Sequence, residues 1–82
     1  MKIYRTYEFD SFYKKLPKDV QNRVNKQLAL LLDNPGHPSL RFHKMKGRNL
    51  WEISISTNYR IIFKIQGDVY ILRRVGTHDI LG

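Results

Sequence analysis

The sequence predicts an α+β fold: an N-terminal strand and a helical hairpin packed on one face of an antiparallel sheet of about four strands. Three observations predict it. Apolar residues recur at helical spacing over residues 9–32, apolar and polar residues alternate over 51–56 and 59–66 before a third strand-like run at 69–75, and Pro35, Gly36 and Pro38 separate the two patterns. Eighty-two residues leave room for one core, so the chain reads as a single domain spanning 1–82.

Lys2-Ile3-Tyr4-Arg5 reads as a short first strand. Phe9, Phe12, Tyr13 and Leu16 then fall at i, i+3, i+4 and i+7, the stripe of a first helix, with Thr6 or Asp10 as its cap. Pro17 stands where a second helix begins, because its fixed φ suits a first turn and its missing N–H is not needed there. Asp19 favours the same end electrostatically. Val20, Val24, Leu28, Leu31 and Leu32 continue the apolar stripe until Asn34-Pro35-Gly36 stops it. Pro38 keeps the next segment extended or turned. In the second half, Trp51, Ile53 and Ile55 alternate with Glu52, Ser54 and Ser56. Tyr59, Ile61, Phe63 and Ile65 alternate with Arg60, Ile62, Lys64 and Gln66. Ser56-Thr57-Asn58 and Gly67-Asp68 provide turns, and 69–75 completes a three-stranded meander. The helices cover one face of this sheet, and the opposite face is left to bind something.

Fifteen Lys and Arg stand against seven Asp and Glu, a net charge of +8, which predicts an anionic partner such as nucleic acid or an acidic protein. The charge is concentrated. No acidic residue lies between Asp33 and Glu52, while Arg41, Lys44, Lys46 and Arg48 fall within eight positions, a phosphate-binding loop or a merely solvated one. The absence of cysteine excludes disulfides and thiolate metal sites. No apolar run reaches the ~20 residues of a membrane helix, and the first residues lack the apolar core of a signal peptide, so no membrane association and a cytoplasmic location are expected.

RNA cleavage through the 2′-hydroxyl needs a base, donors to stabilise the crowded phosphorane and an acid for the departing oxygen. It requires no metal. Glu52 alternates out of the apolar set toward the face opposite the helices, which suits either a general base or a cross-strand ion pair. Arg60 offers a planar, permanently charged fork to phosphate, or to Glu52. His43 and His78 carry imidazoles, which can take or give a proton, and Gly76 precedes His78 at a strand end, where a loop can expose a side chain. His37, among Pro35, Gly36 and Pro38, has no catalytic role in this reading. The three His residues show neither His-Glu-x-x-His nor comparable spacing, Gly-rich phosphate loops are absent, and no cofactor is expected.

Taken in order, the helical hairpin, His43-Lys44-Met45-Lys46-Gly47, Leu50-Trp51-Glu52-Ile53, Tyr59-Arg60-Ile61-Ile62-Phe63 and Val75-Gly76-Thr77-His78-Asp79 resemble the RelE/ParE superfamily of toxins. The resemblance spans nearly the whole chain. It implies a toxin of a type II toxin–antitoxin pair, of the RelE or YafQ-like branch, that cleaves messenger RNA in the ribosomal A site and is restrained by a RelB-like antitoxin. Arg60 looks like the family's phosphate-stabilising arginine, and His78 stands where the family carries a catalytic Arg or His. His43 resembles the loop histidine of the YafQ-like branch, while Glu52 departs from the lysine of the RelE branch. Arg41, Lys44, Lys46, Arg48, Arg73 and Arg74 are the expected RNA-binding residues. Many relatives place a Tyr or Phe four or more residues beyond the His78 position. Here Asp79-Ile80-Leu81-Gly82 offers none, which implies weaker base stacking or a substitute among Tyr59, Tyr70 and Phe42. The ParE branch shares the fold but poisons DNA gyrase without cutting RNA.

Overall fold

In the computed structural model, which describes the backbone of residues 1–81 and the side chains of 1–79, the chain begins with β1 (Lys2–Arg5) and passes through Thr6 into α1 (Tyr7–Lys14). Thr6 is the cap: its hydroxyl accepts from Phe9 N at 3.1 Å and donates to the Leu72 carbonyl at 2.7 Å. Asp10 is therefore free for another task, a 2.7 Å ion pair with Arg5.

Helix α2 (Lys18–Asp33) starts after Pro17, with Asp19 in its first turn, and ends before the Pro35-Gly36 turn, as its sequence signals require. Its buried face is Val20, Val24, Gln27, Leu28 and Leu31. At about 100° per residue, Gln27 and Leu31 lie within roughly 20° of Val20, whereas Leu32 lies about 120° away. Leu32 is accordingly 46% exposed, and a glutamine occupies the core-facing stripe. Gln27 is buried without penalty because its amide donates to the Ser54 carbonyl at 3.0 Å.

The sheet has five strands rather than four, ordered β1-β5-β4-β3-β2, from β2 (His43–Lys44), β3 (Trp51–Ser54), β4 (Tyr59–Gln66) and β5 (Val69–Thr77). The extra strand is β2, two residues inside the basic segment that pair with Trp51 and Glu52 and are too few to show a period in sequence. The sheet is also mixed: β1 runs parallel to β5 while all other pairs are antiparallel. Alternation within a strand reports which face is buried and is silent about which neighbour it joins.

Between β4 and β5 the register slips, with Ile62 opposite Arg74 but Phe63 opposite Leu72, so Arg73 is an extra residue. Tyr70, Leu72 and Val75 consequently all join the core. Phe9, Leu31, Leu40, Ile53, Ile61 and Phe63 are buried with them between helices and sheet. Phe42 meets Trp51, Phe63 and Tyr70 edge-on at centroid distances of 5.4, 5.4 and 6.2 Å. Burial pushes the Tyr70 phenol above its ordinary pKa.

Truncation of Phe63 to alanine should lower stability by about 3–5 kcal/mol, whereas Leu32→Ala should change it by less than about 0.5 kcal/mol. Urea denaturation followed by circular dichroism checks both, and equal losses would contradict this rotation of α2.

Candidate functional site

Pairing of β2 with β3 sets His43 opposite Glu52, and pairing of β3 with β4 sets Ser54 opposite Arg60, so all four occupy the sheet face away from the main core. Glu52 Oε1 lies 3.4 Å from His43 Nε2 and 3.8 Å from Arg60 Nε. Exposure divides the three: the Glu52 and Arg60 side chains retain 14% and 22%, and that of His43 55%. His43 Nδ1 donates to the Arg41 carbonyl at 2.6 Å, which turns Nε2 toward the carboxylate. That pair is ionic only when the ring is protonated.

Arg60 does more than meet Glu52. Its Nη1 donates to the carbonyls of Ser56 at 2.6 Å, Tyr59 at 2.9 Å and Thr57 at 3.2 Å, clamping the β3–β4 turn. Sequence leaves phosphate contact and ion pair as alternatives for this residue; the ion pair with Glu52 is present, and the turn clamp is an addition that sequence does not signal.

The other side of Arg60 lines a cleft of about 460 Å³ together with Thr57, Asn58, Tyr59, Thr77, His78 and Asp79. His78 opens the short helix α3 (His78–Leu81) directly after β5 and is exposed. Gly76 faces Arg60 across the β4–β5 ladder, so no side chain stands over the guanidinium at that register position. Arg60 thus joins the two histidines, reaching His43 through Glu52 and His78 through the cleft. Sequence presents Thr57 and Asn58 only as turn formers. The meander topology is the signal that finds them, because it sets the β3–β4 turn beside the end of β5. Of the three candidate stacking aromatics, Tyr70 is buried in the core, Phe42 and Tyr59 are half-buried and packed against it, and Tyr59 also lines the cleft. The terminal position where relatives carry an aromatic lies outside the described side chains.

The basic residues separate into groups. Lys44, Lys46 and Arg48 edge the β2–β3 hairpin, which turns through Gly47 at φ 73° and closes with Met45 N donating to the Leu50 carbonyl at 2.8 Å. Arg48 also meets Arg73 and Arg74 around a pocket of about 200 Å³ floored by Leu50 and Ile62. Arg74 is held by Glu8, Nη2 to Oε2 at 3.2 Å. Arg41 belongs to neither group, for it sits in left-handed backbone at φ 47° and faces the helix side of the sheet edge. Among the described residues no three His, Cys, Asp or Glu side chains gather as metal ligands.

Loss of the clamp is measurable apart from chemistry. Arg60→Ala should lower stability by about 1–3 kcal/mol, since it leaves three turn carbonyls and Glu52 without their cation. His78→Ala should stay within about 0.5 kcal/mol, and thermal denaturation of the two variants checks the difference.

Comparison with known proteins bears on this geometry. Solved structures of similar fold include YafQ from E. coli strain BL21(DE3), 19% identical over 96% of this chain and 94% of that one, TM-score 0.78. They also include a chain of the RelB-RelE antitoxin-toxin complex from Methanococcus jannaschii, 24% identical, covering 94% of this chain and 92% of that one, TM-score 0.77. A third is the YoeB/ParE toxin from Agrobacterium tumefaciens, 15% identical, covering 95% and 99%, TM-score 0.78. At these identities the likeness is one of fold. Comparison with curated protein sequences gives no match. A family model described as the ParE toxin of the type II toxin-antitoxin system parDE matches residues 2–81, and the chain belongs to that family of toxins.

Proposed function

We propose that this toxin is an endoribonuclease that cleaves messenger RNA in the ribosomal A site, and that a cognate RelB-like antitoxin holds it inactive in the cytoplasm. The observation that carries the reading is the position of Arg60 between two histidines, one reached through Glu52 and the other across a cleft open to solvent. Those groups suffice for in-line cleavage. His43 Nε2 takes the proton of the 2′-hydroxyl, O2′ attacks phosphorus, and the phosphorus–O5′ bond breaks to leave a 2′,3′-cyclic phosphate. His78 gives its proton to the departing O5′. Arg60 already commits Nη1 to the turn and Nε toward Glu52, so Nη2 meets the charge gathering on the phosphorane. Glu52, mostly buried, stands 3.4 Å from the same Nε2 and pairs with the imidazolium once the proton is taken. Tyr59 is placed to stack on a base in the cleft, and Lys44, Lys46, Arg48 and Arg73 add phosphate contacts that weaken with salt.

A second reading has its own support: the matching family is described by ParE, and Arg60 is engaged by three backbone carbonyls. In that reading the same surface inhibits DNA gyrase and no RNA is cut.

Translation with purified ribosomes distinguishes them. The first reading expects messenger 5′ ends within the A-site codon, lost by about 10²–10⁴-fold in His78→Ala and by a smaller factor in Glu52→Gln. Intact messenger together with arrested supercoiling in a gyrase assay would replace it with the second. Equal cleavage by wild type, His78→Ala and Arg60→Lys would remove these residues from the mechanism.

A further inference from the structure

Strand β2 covers β3 only at Trp51 and Glu52, so the edge of β3 is open at Ser54 and beyond. An open edge exposes carbonyls, and α2 answers with polar side chains: Gln27 donates to the Ser54 carbonyl at 3.0 Å, and Arg23 Nε to that of Ile55 at 3.4 Å. Between α2, the 3-10 turn at Pro38–Leu40 and the β3–β4 turn, this arrangement leaves a groove of about 590 Å³.

Arg23, Lys26, Arg41 and Arg60 line the groove, and no Asp or Glu does. Glu52 offsets Arg60, but Arg23, Lys26 and Arg41 on one concave surface repel one another, and an anion bound among them relieves the repulsion. Arg41 supplies an independent sign. It is the one non-glycine residue with positive φ among the described residues, in a region that glycine enters far more easily. Its carbonyl is held there by the His43 ring. A position whose backbone favours glycine instead carries a guanidinium on the groove wall.

Arg60 and Thr57 line both the groove and the His78 cleft, so the two adjoin at the β3–β4 turn. We propose that the groove binds the phosphodiester backbone of the RNA strand flanking the segment held at His78, a reading that rests on the proposed ribonuclease function. Arginine forks beside the hydroxyls of Ser39, Ser56 and Thr57 suit phosphate oxygens. A docked protein segment needs apolar anchors, and here only Leu30 and Ile55 offer them.

Fluorescence anisotropy with single-stranded RNAs of about 4 and about 12 nucleotides tests the proposal, using the His78→Ala chain so that no RNA is cut. The longer RNA should bind more tightly and with the steeper salt dependence. Adding Lys26→Gln and Arg41→Gly should weaken the longer RNA on the order of tenfold at ~0.1 M salt and flatten its salt slope by about 1.4, while the short RNA is unaffected. Arg41→Gly alone should match or exceed the parent's thermal midpoint, because glycine relieves the backbone, so its binding loss cannot be assigned to unfolding. Unchanged affinity and slope for the longer RNA would overturn the proposal. So would unchanged RNA binding with a tenfold loss for a polyglutamate peptide, which would give the groove to an acidic protein. Groove-dependent RNA binding by a chain that leaves A-site messenger intact would sink the ribonuclease reading and keep the groove.

Discussion

The extra residue in β5 is the constraint on which the rest of the molecule depends. Strict alternation from Tyr70 and Leu72 would carry Arg74 and Gly76 onto the core face, forcing a guanidinium among Phe9, Ile61 and Phe63. The slip opposite Ile62 and Phe63 returns Val75 to the core and turns both arginines outward. The same slip sets the geometry of the strand end. Gly76 comes opposite Arg60 and Thr77 opposite Tyr59, so His78 emerges beside the β3–β4 turn. A correction that keeps charge out of the core thereby assembles the candidate site.

Cation management explains much of the remaining architecture. With a net charge of +8 in 82 residues, the chain gains from every carboxylate it has and from aromatic faces as well. Arg5 pairs with Asp10 and lies over Tyr13 at 4.5 Å, and Arg74 pairs with Glu8. Glu52 serves two cations at once. Lys44, Lys46 and Arg48 on the hairpin and the cations of the β3-edge groove form surfaces whose repulsion an anionic ligand would relieve.

Elements are legible in the sequence wherever one face of a helix or strand carries enough repeats to show its period. Thr6, Pro17 and the Asn34-Pro35-Gly36 stop mark helix ends through local chemistry, and α2 is unmistakable apart from its exact rotation. Gln27 is not legible as a core residue because its burial depends on the free Ser54 carbonyl, a partner 27 residues away in sequence. Strand β2 is too short to show alternation, and the parallel docking of β1 leaves no trace in its own four residues. The Arg73-Arg74 pair inside an apolar run is a readable sign of a bulge. At the site, residue type identifies Arg60, His43 and His78, but the turn clamp depends on carbonyl directions that no side-chain pattern encodes. In sequence Arg41 looks continuous with Lys44, Lys46 and Arg48. One left-handed residue is enough to send it to the other side of the sheet edge.

The groups at the site are held with unequal firmness. Glu52 and Arg60 stand on paired strands, with Arg60 fixed by three carbonyls and His43 by a fourth. These side chains are oriented before any ligand arrives, which is what charge stabilisation requires. His78 stands on a four-residue helix after the last strand, exposed, with its position set by the end of β5. Too short to be stable by itself, that helix depends on its packing against β5 and β4. A change in that helix would move His78 while leaving the His43–Glu52–Arg60 cluster in place.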